Sequence, residues 1–308
     1  MGHRASGDRW AGAALPVLDQ EGARRLVAAY LAQQCAALVV GDQRLGAGDD
    51  SAVHDTRVAG RRIRSTLRVY SPLFDREAAD ALDGELRWWS GLLGAVRDLQ
   101  VLQGRLDTLV SGVDPALPRD RVRARIDAAL ERDRLEHWTR VREAHAGVRH
   151  RALLVAVTSW GARPAWSGGV LRSSSAVATM VDRADRTVDR TLRRAAASDD
   201  LDELHRARKA AKRARYAAEV LLPVVGPAAA KSARRHERLQ EALGEHRDCT
   251  VGAELLLRLG SAAGSSPGES FVFGVLHERE LRRAQALRAE VQGLVRRRRR
   301  PSGSHGPR

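Results

Sequence analysis

Apolar residues recur every three or four positions along nearly the whole chain, and runs alternating with a period of two are missing. Ala, Leu, Arg and Glu, all strong helix formers, dominate the periodic stretches. The pattern predicts helices over 20–44, 50–71, 76–110, 119–158, 173–197, 200–222, 227–260 and 269–298. Breakers fall between them: GDQRLGAGDD after the first, Ser71-Pro72 after the second and DPALP before the fourth. GARPAWSGG at 161–169 is the strongest break and divides the chain into halves. The expected fold class is all-α.

The halves repeat. His54, Arg57, Arg61, Arg62 and Arg64 recur 151 positions on as His205, Arg208, Lys212, Arg213 and Arg215. Downstream, LLGAVRDLQVL at 92–102 matches ALGEHRDCTVG at 242–252 through Leu93/Leu243, Gly94/Gly244, Arg97/Arg247 and Asp98/Asp248, offset by 150. Two motifs recurring in order at nearly one offset indicate a duplicated helical unit. The expected organisation is a tail at 1–18, a first repeat at 19–160, a linker at 161–172, a second repeat at 173–297 and a disordered basic tail at 298–308 that includes part of the run Arg296–Arg300. A pseudo-twofold arrangement would set the two basic helices against each other or around a shared cleft.

Charge gives the repeat its meaning. On a helix at about 100° per residue, His54, Arg61, Arg68, Arg57 and Arg64 share a sector about 80° wide. Ala59, Ile63, Leu67 and Tyr70 form the opposite, core-facing stripe. In the second copy His205, Lys212, Arg208 and Arg215 share a sector, opposed by Ala207, Ala210, Ala214, Ala218 and Leu221, while Glu219 takes the place of Arg68. Like charges one turn apart cost about 0.2–0.5 kcal/mol per pair, so Arg57–Arg61, Arg61–Arg64 and Arg64–Arg68 together cost about 1–1.5 kcal/mol. Asp55 is the one acid in residues 53–70. Counter-charge must come from other helices or from a ligand, and an extended polyanion fits a stripe of guanidiniums able to grip phosphate oxygens bidentately.

A single basic face reads as solvated surface; the same face repeated with the same histidine reads as a binding site. Taken singly, His54 and His205 fit capping or hydrogen-bonding roles as well as ligand contact. Arg97–Asp98 and Arg247–Asp248 read as internal salt bridges fixing the helix pair, and Trp88-Trp89 as core.

Composition agrees with an acidic partner. The 308 residues carry 53 Lys and Arg against 38 Asp and Glu, a formal charge of +15, with Lys at 209, 212 and 231 only. The N-terminal apolar run is short and broken by Pro16, a poor secretory signal, and no stretch of about eighteen apolar residues can span a membrane. Cys35 and Cys249 lie far apart without CxxC spacing, which suggests inert thiols in a reducing compartment and a cytoplasmic protein.

The stretch HDTRVAGRRIRS, the second copy with KRARY, and the two LGxxRD segments resemble the CHAD domain, the conserved histidine α-helical domain, over about residues 20–297. The resemblance implies two four-helix bundles related by pseudo-twofold symmetry and a basic central surface that binds inorganic polyphosphate, often at polyphosphate granules. Carried over by position, the implied contacts are His54, Arg57, Arg61, Arg64 and Arg68, then His205, Arg208, Lys209, Lys212, Arg213 and Arg215. Arg62 matches the motif but points about 80° from His54 and ranks lower. Where the family often has R-D-x-D, this chain has Gln100 and Thr250 in place of the second acid.

The expected function is therefore non-catalytic polyphosphate binding. The alternatives are sequence-blind nucleic-acid binding, for which Tyr216 is the one aromatic near the basic sector, and a scaffold for an acidic protein partner. Catalysis on phosphate chains is not expected: GxxxxGK[ST], HExxH, paired CxxC and the ExExK pattern of the CYTH triphosphatase domain sometimes fused to CHAD domains are all absent. No cofactor or metal is expected, and nothing in the sequence sets an oligomeric state.

Overall fold

The computed structural model describes residues 18–169, 176–198 and 200–299, with backbone alone for 295–299. Residues 1–17 of the expected N-terminal tail, 170–172 of the expected linker and 300–308 of the expected basic tail lie outside the described residues. Within them the chain is helical without a strand, and one isolated bridge joins Phe74 to Trp166. The helices are α1 (Gln20–Gly46), α2 (Ala52–Val69), α3 (Arg76–Ser111), α4 (Arg119–Ala146), α5 (Val148–Ala162), α6 (Ala176–Ala197), α7 (Leu201–Val220), the single turn α8 (Leu222–Val225), α9 (Pro227–Gly260) and α10 (Pro267–Arg299). The helix expected unbroken over 119–158 divides at Gly147, whose extended backbone (φ −77°, ψ 160°) starts α5. A Cβ there would lie 3.1 Å from the Ala144 carbonyl oxygen, so glycine suits the break. α10 continues into the expected tail as far as Arg299.

Two compact units emerge, and both draw on both halves of the sequence. The first comprises 18–103, 127–169, 176–184 and 213–234; the second comprises 104–126, 185–198, 200–212 and 235–299. In the first unit, the Asp19 carboxylate caps α1 by accepting from Gly22 N at 2.7 Å. α1 packs on α2 and α5. The approach to α2 is close: a Cβ on Gly41 would meet Thr56 Oγ1 at 2.3 Å. Gly48, at φ +86°, supplies the left-handed residue of the α1–α2 turn. Arg44 pins that turn, donating to Asp49 at 2.8 Å, Ser51 at 2.9 Å and Asp55 at 3.0 Å. The lone acid of the basic stretch is thereby engaged from behind.

The predicted apolar stripe of α2 is the buried one. Ala59, Ile63, Leu67 and Tyr70 join Leu31, Leu38, Leu86, Trp89 and Leu93 in the first unit's core, each large side chain worth about 1.5–3 kcal/mol of burial. Tyr70 spends its hydroxyl on the Ala217 carbonyl at 3.0 Å. Trp89 is buried as expected, whereas Trp88 is only partly so and lies under Arg149, 4.2 Å from the ring centroid. In the second unit Leu106, Val110, Ile126, Leu239, Leu256, Phe273 and Leu276 are buried. Arg105 there donates to buried Glu280 at 2.9 Å and to Cys249 Sγ at 2.9 Å. Both cysteines are free and buried; burial pushes Cys35 up to about 12 and Cys249 up to about 11, which leaves both thiols protonated and inert.

Candidate functional site

Because α2 turns its apolar stripe inward, its basic sector faces outward in the first unit: His54 and Arg68 are exposed, and Arg57, Arg61 and Arg64 half-buried. The arginines do not share one fate. Arg64 and Arg68 both reach back to buried Asp83 on α3, at 2.9 and 2.7 Å, and Arg87 reaches the same carboxylate at 3.1 Å. Burial opposes ionisation of Asp83, but the hydrogen bonds from Arg68 and Arg64 win and hold its carboxyl below the ordinary range. Arg62 and Arg215 converge on Glu219 at 2.9 and 3.0 Å. Tyr30 also donates to that carboxylate at 2.8 Å. Of the two sources of counter-charge left open by the sequence, helices other than α2 therefore supply part, at Arg62, Arg64, Arg68 and Arg215.

What remains is a smaller cluster around His54. No described carboxylate pairs with Arg61, whose buried Nε lacks a hydrogen-bond partner. Arg57 touches Asp98 at 3.4 Å, and Asp98 is half-exposed. The expected Arg97–Asp98 bridge is not made: Arg97 donates instead to Gln100 at 3.2 Å, and Asp98 serves Arg57 across the α2–α3 interface. Gln100, standing at the missing second acid, thus holds Arg97. The His54 imidazole is kept below its ordinary value by burial, then by Arg97 and Arg61, so it is neutral near pH 7. Arg213 is also held below the ordinary guanidinium value by burial and by Arg68, and no described carboxylate pairs with it.

The second unit repeats this chemistry on α7 and α9. His205 is depressed by burial, then by Lys209, Arg247, Arg208 and Lys212. In both copies the arginine of LGxxRD bears on the motif histidine. In both, the glycine of LGxxRD lets the motif arginine lie flat on the neighbouring helix: a Cβ on Gly94 would meet Arg57 Nη2 at 3.2 Å, and one on Gly244 would meet Arg208 Nε and Nη2 at 3.1 Å. The duplicated motifs therefore recur as duplicated local geometry. Arg213 and Arg215, grouped with the second motif by sequence, belong to the first unit.

Sequence reasoning missed Asp83 and Glu219 as counter-charges. It also missed a buried group in the first unit, Asp42 with His145 and His150, whose donor atoms lie within 4.8 Å of one another. Tyr216, the aromatic expected near the basic sector, is buried, with Arg62 and Arg215 over its ring at 5.7 and 5.6 Å.

Residues 29–257 match the CHAD domain family, and the chain belongs to it. CHAD domains are associated in general with polyphosphate. The chain is 28% identical over 275 residues to two uncharacterized proteins of Mycobacterium tuberculosis, MT2285 of strain CDC 1551 / Oshkosh and Rv2226 of strain ATCC 25618 / H37Rv, covering 86% of this chain. It spans about half the length of these curated relatives (52%). Among solved structures, PptA from Streptomyces chartreusis superposes with a TM-score of 0.72 at 21% identity, covering 91% of this chain and 99% of that one. The CHAD domain from the plant Ricinus communis does so with a TM-score of 0.60 at 22% identity, covering 90% and 93%. The all-α fold is thus shared with both. Among the described residues no helix is long and apolar enough to cross a membrane.

Proposed function

We propose that this chain binds inorganic polyphosphate without catalysing its turnover, through two cationic clusters: His54, Arg57, Arg61 and Arg97 in the first unit, and His205, Arg208, Lys209, Lys212 and Arg247 in the second. The carrying observation is Arg61, a half-buried guanidinium with no described carboxylate partner, set beside a histidine held below its ordinary value by burial and then by its cationic neighbours. A chain of phosphates supplies an acceptor for Arg61 and charge complementary to its neighbours, with bidentate guanidinium contacts as the strongest single interactions. Arg213 adds a further cation to the first unit's surface. Arg64 and Arg68 keep the cluster's frame through Asp83 and contribute longer-range attraction.

Sequence-blind nucleic-acid binding is less well supported, because burial of Tyr216 removes the one aromatic platform near the site. Titration of the purified protein with long-chain polyphosphate at about 0.15 M salt, with duplex DNA and tRNA in parallel, tests the reading. Polyphosphate is expected to bind far more tightly than either nucleic acid. Equal and weak binding of all three would reduce the clusters to generic positive charge and overturn the assignment.

A further inference from the structure

Asp42, His145 and His150 are brought together by a break that a regular helix does not provide. Five residues along a continuous α-helix turn the side chain by about 140°, so His145 and His150 would point apart. Ending α4 at Ala146 and restarting α5 at Val148 puts His145 in the last turn of one helix and His150 in the first turn of the next. Both then meet the same carboxylate on α1. His150 Nε2 lies 2.8 Å from Asp42 Oδ1, and His145 Nε2 lies 3.4 Å from Oδ2. The two imidazole centroids are 4.6 Å apart, with the Trp89 ring 4.4 Å from that of His150.

A buried His–Asp pair alone is an ordinary structural device, and the second unit has one: His236 to Asp185 at 2.7 Å, both buried. Among the described residues no third donor completes that pair as His145 completes the first. His145 Nε2 is itself buried and has no hydrogen-bond partner, although it points at the carboxylate. A structural pair leaves that nitrogen unexplained; a ligand site explains it.

We propose that Asp42, His145 and His150 bind a divalent transition-metal ion of the zinc type, which clips α1 to the α4–α5 junction. Two imidazole nitrogens and one carboxylate oxygen suit zinc, cobalt or a similar ion better than magnesium or calcium. Tetrahedral bonds of about 2.0–2.1 Å set neighbouring donors about 3.3 Å apart. His145 Nε2 faces Asp42 Oδ2 at 3.4 Å and His150 Nε2 faces Oδ1 at 2.8 Å, and with the donor atoms within 4.8 Å of one another, small side-chain rotations gather both nitrogens and one oxygen around the ion. The fourth position is left to solvent, to which His145 is 31% exposed. This site shares no residue with the polyphosphate clusters and stands without them.

The test uses the 308-residue chain freed of metal by chelator dialysis and titrated with Co²⁺, followed by visible absorption, then with Zn²⁺ in competition with a chromophoric chelator. One Co²⁺ per chain with a tetrahedral-type visible band, displaced by Zn²⁺, is expected. His145→Gln, which breaks no hydrogen bond, is expected to lose the band and the rise in Tm on zinc addition while keeping wild-type helicity; Asp42→Asn is expected to lose the band as well. His54→Gln retains both. Absence of a stoichiometric cobalt site in the folded wild-type chain, or unchanged cobalt binding by folded His145→Gln, overturns the proposal.

Discussion

Arg61 and Arg64 share one helix and one sequence motif, yet their surroundings give them different work. Arg64 and the Asp83 carboxylate are largely buried and hydrogen-bonded at 2.9 Å, and removing one partner of such a pair costs about 3–5 kcal/mol because the other charge is left uncompensated. Arg57 and half-exposed Asp98 at 3.4 Å are worth about 0–1 kcal/mol, little enough for a polyanion to displace the acid. Arg61 has no described acid to lose. Asp83→Asn is therefore expected to destabilise the chain by about 3 kcal/mol in urea denaturation, the lower end because Arg68 is partly solvated. Arg61→Glu combined with Lys212→Glu should abolish polyphosphate binding while leaving the denaturation midpoint near wild type. Full-strength binding by that folded double variant would remove these residues from the site.

At the scale of elements, the glycine of LGxxRD separates binding from folding. Alanine is favoured over glycine in a helix interior by about 0.5–1 kcal/mol, so Gly94→Ala and Gly244→Ala should not weaken α3 or α9 on propensity grounds. Their new methyl groups fall 3.2 and 3.1 Å from the guanidiniums of Arg57 and Arg208, which must shift. Displacing one charge-assisted contact costs about 1.5 kcal/mol, so each single variant is expected to bind polyphosphate roughly tenfold more weakly, and the double variant roughly a hundredfold, at unchanged helix content. Unaltered affinity would show that the two arginines are not held in register by these helices. The element pattern was legible in sequence because the apolar stripe of α2, Ala59 to Tyr70, follows helical spacing and buries as that spacing demands. The duplicated motifs were legible for the same reason. The break at Gly147 was not, since strong helix formers flank a single glycine, a weak stop on its own. Nor were the partners of the arginines: Asp83 lies 19 residues from Arg64 and Glu219 lies 157 from Arg62, and only packing brings them into reach. The Asp42–His150 contact spans 108 positions and left no spacing motif to read.

Across the whole molecule, protons couple stability to ligand binding. The chain carries a formal +15 with histidines taken as neutral. His54 in the first unit and His205 in the second are both held below the ordinary value of about 6.5, by burial first and by neighbouring cations next. For the free protein the sign is unfavourable to acid. The unfolded chain takes up these protons before the folded one, so stability falls as pH drops through about 6.5 and recovers above it. A bound polyphosphate reverses the balance, because anionic oxygens beside each imidazole favour its charged form. Internal phosphates of a long chain are strong acids, so the ligand's charge hardly changes in this range. Binding should then take up protons: a rise of about one pKa unit in one histidine strengthens affinity about tenfold once the pH is below both its free and bound values. Affinity for long-chain polyphosphate is expected to increase from pH 7.5 to pH 5.5 at fixed ionic strength, with proton uptake visible as a dependence of calorimetric heat on buffer ionisation enthalpy. The double variant His54→Gln, His205→Gln should bind with a nearly flat pH profile over the same range. A wild-type profile just as flat would mean that neither imidazole meets the anion, leaving the arginines and lysines to bind it alone.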